Sequence, residues 1–347
     1  MKNKFDLKQA LPELSSFNHN IIKMTKTALI LFNRISANPK EDELDVLDQV
    51  KIVSEALVKL KYRIVEYQVD LNLSKAIKDI QKIQPAFIFN LAETLDNKGE
   101  FAYIPAAILT HLNIPFSGNP LIPLFFAANK VLAKEQLTNI GIKTPAWATL
   151  DQLKKLKKDR KYILKPTWEE GSLGLDEDSV FNGSDKNFIK KIATKNKHYF
   201  FVEEFIEGRE FNVSIMGTKD GPVVLPIAEM IFLKYPEGKP RIMGYTAKWK
   251  EDSFEHSHTL RTFKIPAKDN DIKTEIEKIC KKCWNSLGFK GYVRIDFRMG
   301  ADRVPMVIDL NLNPCISESG GFIAATEKAG YKFVDVIRQI VEEAMKP

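Results

Sequence analysis

Two short segments in the last sixty residues carry the side chains best suited to chemistry. Gly291-Tyr-Val-Arg-Ile-Asp-Phe297 is followed, after a turn, by Val307-Ile-Asp-Leu-Asn-Leu-Asn-Pro314. Both read as β-strands, in which residues two apart point to one face. Arg294 then shares a face with Asp296, and Asp309 with Asn311. If the strands pair, two carboxylates, an amide oxygen and a guanidinium converge. Hard oxygen donors completed by phosphate oxygens are what Mg²⁺ prefers. The guanidinium would counter charge on a transferring phosphoryl group or a tetrahedral oxyanion. The bland alternative is the solvated face of a hairpin, and Asn-Leu-Asn-Pro is also an ordinary turn signal. The apolar flanks favour the metal site.

A second constellation is Lys165-Pro-Thr-Trp-Glu-Glu-Gly-Ser-Leu-Gly174, a strand ending in lysine and followed by a loop with Gly171, Ser172 and Gly174. Glycines let backbone N–H groups approach a polyphosphate, and the lysine offsets its charge. The Walker A pattern is absent, and alone this segment is also an ordinary turn. The third is Phe201-Val-Glu-Glu-Phe-Ile-Glu-Gly-Arg-Glu-Phe211, two β-like runs around a polar break. Its backbone could read the edge of adenine and its acids could hold ribose hydroxyls. Read alone, it is an edge strand with solvated acids.

The elements that must position these groups fall into two halves. Ala28–Phe32, Tyr62–Tyr67 and Ala86–Asn90 read as strands, separated by helical spacing over Leu44–Leu60 and Leu73–Ile83. Strand and helix in alternation imply a doubly wound parallel sheet, with ligands beyond the carboxyl ends of its strands. The stretch from Asn90 to Glu100 occupies such an end. Helices follow around Ile104–Leu112 and Asn129–Leu137. The second half alternates less regularly, with strands at Tyr162–Lys165, Tyr199–Glu203, Glu210–Met216, Tyr292–Arg298 and Met306–Leu310, an α+β pattern.

Composition sets the outer limits. The chain has 347 residues, 44% of them hydrophobic and 28% charged, enough for several packed cores. The net charge of +7 comes from dispersed lysines, with the run Lys154–Lys161 offset by Asp151 and Asp159. No basic helix or interleaved aromatic stripe suggests nucleic-acid binding. Three cysteines give no disulfide framework, and Cys280 and Cys283 fall on the apolar face of a helix with Ile276, Ile279 and Leu287, so they read as core. No apolar run approaches the ~20 residues that span a bilayer, and residues 1–26 lack a signal-peptide core. A cytoplasmic location without membrane partners is expected.

Taken in order, these segments resemble the ATP-grasp superfamily, specifically the D-alanine–D-alanine ligase-like group. The likeness covers roughly residues 28 to 345. It rests on Phe89-Asn-Leu-Ala-Glu93, Ile114-Pro-Phe-Ser-Gly118, Asn129-Lys-Val-Leu-Ala-Lys134, Gly141-Ile-Lys-Thr-Pro145 and Ile163-Leu-Lys-Pro166, and on the later segments Val202–Glu210, Tyr245-Thr-Ala-Lys-Trp249, Val293-Arg-Ile-Asp-Phe297 and Asp309–Pro314. The resemblance implies an α/β and α+β chain of ATP-grasp fold. Its parts would be an extension over residues 1–26, a doubly wound N-terminal domain over 27–118, a central subdomain over 119–205, and a C-terminal subdomain with the metal and substrate site over 206–347.

It also implies roles. Lys130 and Lys165 match the lysines that hold ATP phosphates, and Ser172 matches a serine of the loop that folds over them. Glu203, Glu204 and Ile206 match the hinge that reads adenine, Glu210 the ribose carboxylate, and Lys248 lies in a segment that closes over the nucleotide. Asp296, Asp309 and Asn311 match the magnesium ligands, with Asp309 where glutamate is usual. Arg294 matches the arginine that stabilises the transition state. Arg294, Ser172 and Lys248 are thus the expected catalytic set, with ATP and Mg²⁺ required.

The departures concern the substrate. The ligases carry a Gly-rich first turn with a glutamate that holds the first D-alanine's ammonium group, whereas the first strand here runs into Asn33-Arg-Ile-Ser-Ala-Asn-Pro39. A His-Gly pair of the ligases is replaced by Glu93-Thr94, and a Ser-Leu pair that binds the product carboxylate by Gly320-Gly321. Glu93, Glu100, Gly320 and Gly321 are therefore the substrate candidates. The expected reaction joins a small carboxylate to an amine, an amino acid or peptide, through an acyl phosphate, with homodimerisation left open. The alternatives are phosphoryl transfer to a hydroxyl and nucleotide binding without catalysis.

Overall fold

The computed structural model describes residues 26–39, 41–169 and 171–346. Apart from Lys26, the expected extension over residues 1–26 lies outside the described residues.

The first unit alternates β1 (Thr27–Asn33), α1 (Glu41–Lys59), β2 (Arg63–Val69), α2 (Leu73–Ile83) and β3 (Phe87–Asn90). The strands lie in the order β2-β1-β3, all parallel. Central β1 is buried on both faces, which is why it is an unbroken apolar run. Leu29 and Leu31 pack towards α2, while Ala28, Ile30 and Phe32 pack towards α1. Asn72 starts α2 by accepting a hydrogen bond from the N–H of Lys75 (3.2 Å). Helix α3 (Ile104–His111) follows, and Phe116 extends the sheet by bridging Ile88.

Helices α4 (Leu121–Ala127) and α5 (Lys130–Asn139) lead into an antiparallel sheet made by β4 (Trp147–Thr149), β5 (Lys161–Pro166), β6 (Val180–Asn182) and, after α6 (Lys186–Ala193), β7 (Phe200–Glu204). Its order is β4-β7-β5-β6. Helices α4 and α5 lie in the stretch assigned above to the central subdomain. Phe126, Ala133 and Leu137 of these helices pack in the core of the next sheet.

That sheet is built from β8 (Arg209–Thr218), β9 (Gly221–Val224) and β10 (Ala228–Phe232), then, after α7 (Tyr245–Trp249) and α8 (Phe254–His258), from β11 (Thr259–Thr262). After α9 (Asn270–Leu287) come β12 (Tyr292–Met299) and β13 (Pro305–Asn311). Its path is β11-β10-β8-β12-β13, with β9 on β8, and every pair is antiparallel. Helix α9 covers one face with Ile276, Ile279, Cys280, Cys283 and Leu287, and ends at Gly288 in the left-handed conformation. Both cysteines are core residues, and burial pushes the Cys283 thiol up to about 12. The chain closes with α10 (Gly321–Lys328) and α11 (Phe333–Ala344). Phe322, Val336 and Ile340 from these helices share one core with α1 and β1, which docks the parallel sheet onto the C-terminal unit.

Candidate active site

Strands β12 and β13 pair with Arg294 opposite Asn311 and Asp296 opposite Asp309, followed by a register shift between Asp296 and Phe297. The four polar residues named from the period of two therefore lie side by side. Arg294 grips Asp296 with two bonds, Nε to Oδ1 and Nη2 to Oδ2, each 2.8 Å. Lys130, the first residue of α5, reaches Asp309 at 2.8 and 3.0 Å. Asn129 positions that helix start by accepting from the N–H groups of Val131 and Leu132. Burial alone would push the Asp309 carboxyl up. Lys130, Lys165 and Arg294 outweigh that and hold it below the usual carboxylate range.

Two carboxylates and an amide oxygen on one strand pair are hard donors of the kind Mg²⁺ takes. Among the described residues no group of three His, Cys, Asp or Glu side chains is arranged to hold a metal ion by itself. A divalent ion at Asp296, Asp309 and Asn311 would therefore complete its shell with oxygens from outside the chain, as Mg²⁺ does with phosphates. The donor set fits the ion.

The four-stranded sheet supplies the other wall. Lys165, at the end of β5, lies 2.8 Å from Glu203 of β7. The other oxygen of Glu203 meets Lys134, which also donates to Thr144 (2.7 Å). Glu203 was expected to help read adenine. Its carboxylate is committed to two lysines. Glu204 forms an ion pair with Arg160 (2.9 Å), and its N–H donates to the carbonyl of Ala146. Ile206 accepts through its carbonyl from Arg298 (2.8 Å), and Arg298 also holds Oε2 of Glu210. Glu210 is buried, and that burial, helped by Asp296 and opposed by Arg298, pushes its carboxyl upward. The N–H of Lys130 donates to the carbonyl of Thr167 (2.9 Å), which sets the end of β5 with Lys165 beside the Lys130–Asp309 pair.

The two expected lids touch each other. The hydroxyl of Ser172 donates to the carbonyl of Met243 (2.8 Å), so it ties the loop to the 243–249 segment. Trp249 donates its indole N–H to Gly171 (2.9 Å), and the Lys248 ammonium lies 4.7 Å from the Trp249 ring centroid. Trp168 and Gly99 are packed so closely that a Cβ on Gly99 would stand 2.1 Å from the Trp168 carbonyl. The loop is thus clasped between the N-terminal unit and α7.

The substrate candidates divide. Glu93 joins a polar group in which Gln49 bridges it (3.4 Å) to Asp45 (3.0 Å), and Asp45 accepts from the thiol of Cys315 (3.0 Å). Glu100 sits on the turn Gly99–Phe101 and is half-buried. The N–H of Gly320 is spent on the Ser317 carbonyl (2.9 Å) and is not available to a carboxylate. Gly321 begins α10, so its N–H has no acceptor within the helix. A Cβ on Gly321 would lie 3.7 Å from Nη2 of Arg261 and 3.8 Å from Nη1 of Arg294.

Sequence reasoning passed over Lys134, Arg298, Asp45 and Arg261. Lys134 carried a signal, since it stands one helical turn beyond Lys130 on one face of α5. Arg298 stands two residues beyond Asp296 on the same strand face. Asp45 and Arg261 carried none, because only the packing of distant elements brings them to the cleft.

Solved structures share this architecture. The D-alanine–D-alanine ligase of Bacillus anthracis complexed with ATP aligns with a TM-score of 0.68 at 20% identity, covering 92% of this chain and 98% of that one. D-alanyl-alanine synthetase A of Vibrio cholerae aligns with a TM-score of 0.70 at 14% identity, covering 93% and 100%. Fold and site together define an ATP-grasp chain of the D-alanine–D-alanine ligase-like group, a class of ATP-dependent ligases. Residues 137–342 match the family model for the D-ala D-ala ligase C-terminus, and the chain belongs to that family. Among its relatives, a D-alanine–D-alanine ligase of Pelotomaculum thermopropionicum is 27% identical over 306 residues, covering 85% of this chain and 90% of that protein. An uncharacterized protein, y4sG, of Sinorhizobium fredii is 25% identical over 261 residues, 74% of each chain.

Proposed function

We propose that this chain is a Mg²⁺-dependent ligase that uses ATP to join a carboxylate to an amine through an acyl phosphate, on a substrate other than D-alanine. The observation that carries this reading is the cross-strand set Arg294, Asp296, Asp309 and Asn311, set against Lys130 and Lys165 across one cleft. Lys130 and Lys165 hold the nucleotide phosphates. The backbone around Glu204 and Ile206 reads adenine, and Glu210, fixed by Arg298, takes the ribose. Asp296, Asp309 and Asn311 would hold Mg²⁺, which would neutralise charge on the phosphates. A carboxylate oxygen of one substrate attacks the γ-phosphorus and ADP leaves. The amine then attacks the acyl carbon, and phosphate leaves. Arg294, oriented by Asp296, stabilises the charge that develops in each step. The clasped loops at Gly171 and Trp249 keep water from the acyl phosphate. A cytoplasmic location suits an ATP-dependent enzyme with three free cysteines.

The proposed substrate difference rests on the amine end. Burying a zwitterion leaves its ammonium group in need of a partner. The turn after β1 provides no carboxylate, since Asn33 is buried and Arg34 is turned outward onto Asp70 (2.9 Å). Glu93 and Asp45 lie on other elements and would hold a cationic group at a different place. A panel of amino acids and dipeptides, scored for ATP-dependent phosphate release and for product, tests this. D-alanine is expected to be turned over at least ~100-fold less efficiently than the best member. Robust D-alanyl-D-alanine formation would overturn the substrate assignment. ADP accompanied by a phosphorylated hydroxyl would overturn ligation itself.

A further inference from the structure

Behind the phosphate-facing wall, one carboxylate serves two ammonium groups. Oε1 of Glu203 lies 2.8 Å from Nζ of Lys165, and Oε2 meets Lys134. The trio carries one surplus positive charge. Burial decides where that charge is presented. The side chains of Lys134 and Glu203 are each 3% exposed, and that of Lys165 is 11% exposed. Lys134 is enclosed by the Thr144 hydroxyl at 2.7 Å and the Trp147 ring at 5.9 Å, so it cannot reach a ligand. Lys165 is the most exposed of the three; both lysines act on Asp309, but only Lys165 also acts on Glu210.

We propose that Lys134 is a positioning residue: by neutralising Glu203 it leaves the charge of Lys165 available to the nucleotide phosphates. Without Lys134, the buried Glu203 has only Lys165 to neutralise it. An uncompensated charge in such a place is costly, so Lys165 would be held on the carboxylate and phosphate would have to compete for it. Burial pulls the Lys134 ammonium down, while on Glu203 the two lysines outweigh burial and hold the carboxyl below its usual range. The charged carboxylate is therefore the form that must be met. This inference rests on the reading above that Lys165 meets phosphate.

The test is calorimetric binding of ATP and of adenosine to the full chain and to Lys134→Met, Lys165→Ala and the double variant Lys134→Met/Glu203→Gln. Lys134→Met should weaken ATP by about 10- to 100-fold and adenosine by less than about twofold. The double variant, which removes both buried charges together, should return ATP affinity to within a few-fold of the parent. Equal losses for ATP and adenosine in Lys134→Met, or no recovery in the double variant, would overturn the proposal. If Lys134→Met does not fold, the double variant decides: near-parental ATP affinity supports the proposal, and a loss matching that of Lys165→Ala overturns it. If Lys165→Ala weakens ATP but Lys134→Met does not, only the role of Lys134 fails. If Lys165→Ala binds ATP normally, the phosphate role of Lys165 fails and this inference falls with it.

Discussion

Replacing Asp296 by Asn is expected to lower Mg²⁺-dependent ATP turnover by at least ~10²-fold while the chain stays folded. The substitution keeps the shape and an oxygen acceptor for Arg294 but removes the charge that meets the metal and anchors the guanidinium through two 2.8 Å bonds. Asp296 and Arg294 are cross-strand neighbours of Asp309 and Asn311, so one change disturbs both the metal donors and the group that stabilises the transition state. Folding should be little affected, because the Arg294 side chain keeps 21% of its surface in contact with solvent and its charge is not stranded. Phosphate release across a Mg²⁺ titration, beside a urea unfolding curve, gives both readings. Parental turnover in the variant would remove the site from this strand pair.

Glu203→Ala is expected to be the most destabilising change in the cleft, by about 3–5 kcal/mol. It leaves Lys134 and Lys165, with side chains 3% and 11% exposed, facing each other without a counter-charge. Against a total stability of about 5–15 kcal/mol this is a large fraction. The effect depends on pH in a definite direction. Burial acts to raise the Glu203 carboxyl, but the two lysines outweigh it and the folded value lies below the ordinary one. Its stabilisation is therefore complete above the unfolded value of about 4.3 and is lost as pH falls through the lower folded value. The gap between parent and variant, measured by denaturant unfolding, should be widest near neutrality and narrow in acid. A gap below about 1 kcal/mol at pH 7 would mean that the lysines do not depend on Glu203.

The parts of this molecule that could be read from the chain are those whose signal is local. Strand β1 announces itself as Ala28-Leu-Ile-Leu-Phe32 because both of its faces are covered. The alternation in Val293-Arg-Ile-Asp-Phe297 and Val307-Ile-Asp-Leu-Asn311 was enough to put four polar groups on two strand faces, and the pairing of β12 with β13 joined them. Helix α4 was hidden because Leu121-Ile-Pro-Leu-Phe-Phe-Ala127 is nearly all apolar and has no helical period to detect. Strands β10 and β11 were passed over because β11 is an edge strand with Leu260 and Arg261 exposed, so its pattern says little about burial. The side-chain partners were harder still. Glu203 looks like any strand acid until β4, β5 and α5 bring Trp147, Lys165 and Lys134 around it. Ser172 could be read only as part of a glycine-rich loop; its left-handed backbone (φ 65°) and the bond of its hydroxyl to Met243 depend on a segment some seventy residues away.

The central claim is that a carboxylate is activated by phosphoryl transfer before the amine attacks. The substrate giving the fastest phosphate release in the amino-acid and dipeptide panel should be labelled with ¹⁸O in its carboxylate and turned over with ATP and Mg²⁺. Attack of that carboxylate on the γ-phosphorus makes one of its oxygens the bridge of the acyl phosphate, and expulsion by the amine carries that oxygen away on phosphorus. The account predicts one ¹⁸O in the released phosphate for each amide bond formed, read by mass spectrometry. Phosphate released without the label, or label retained while phosphate appears on a hydroxyl acceptor, would contradict it.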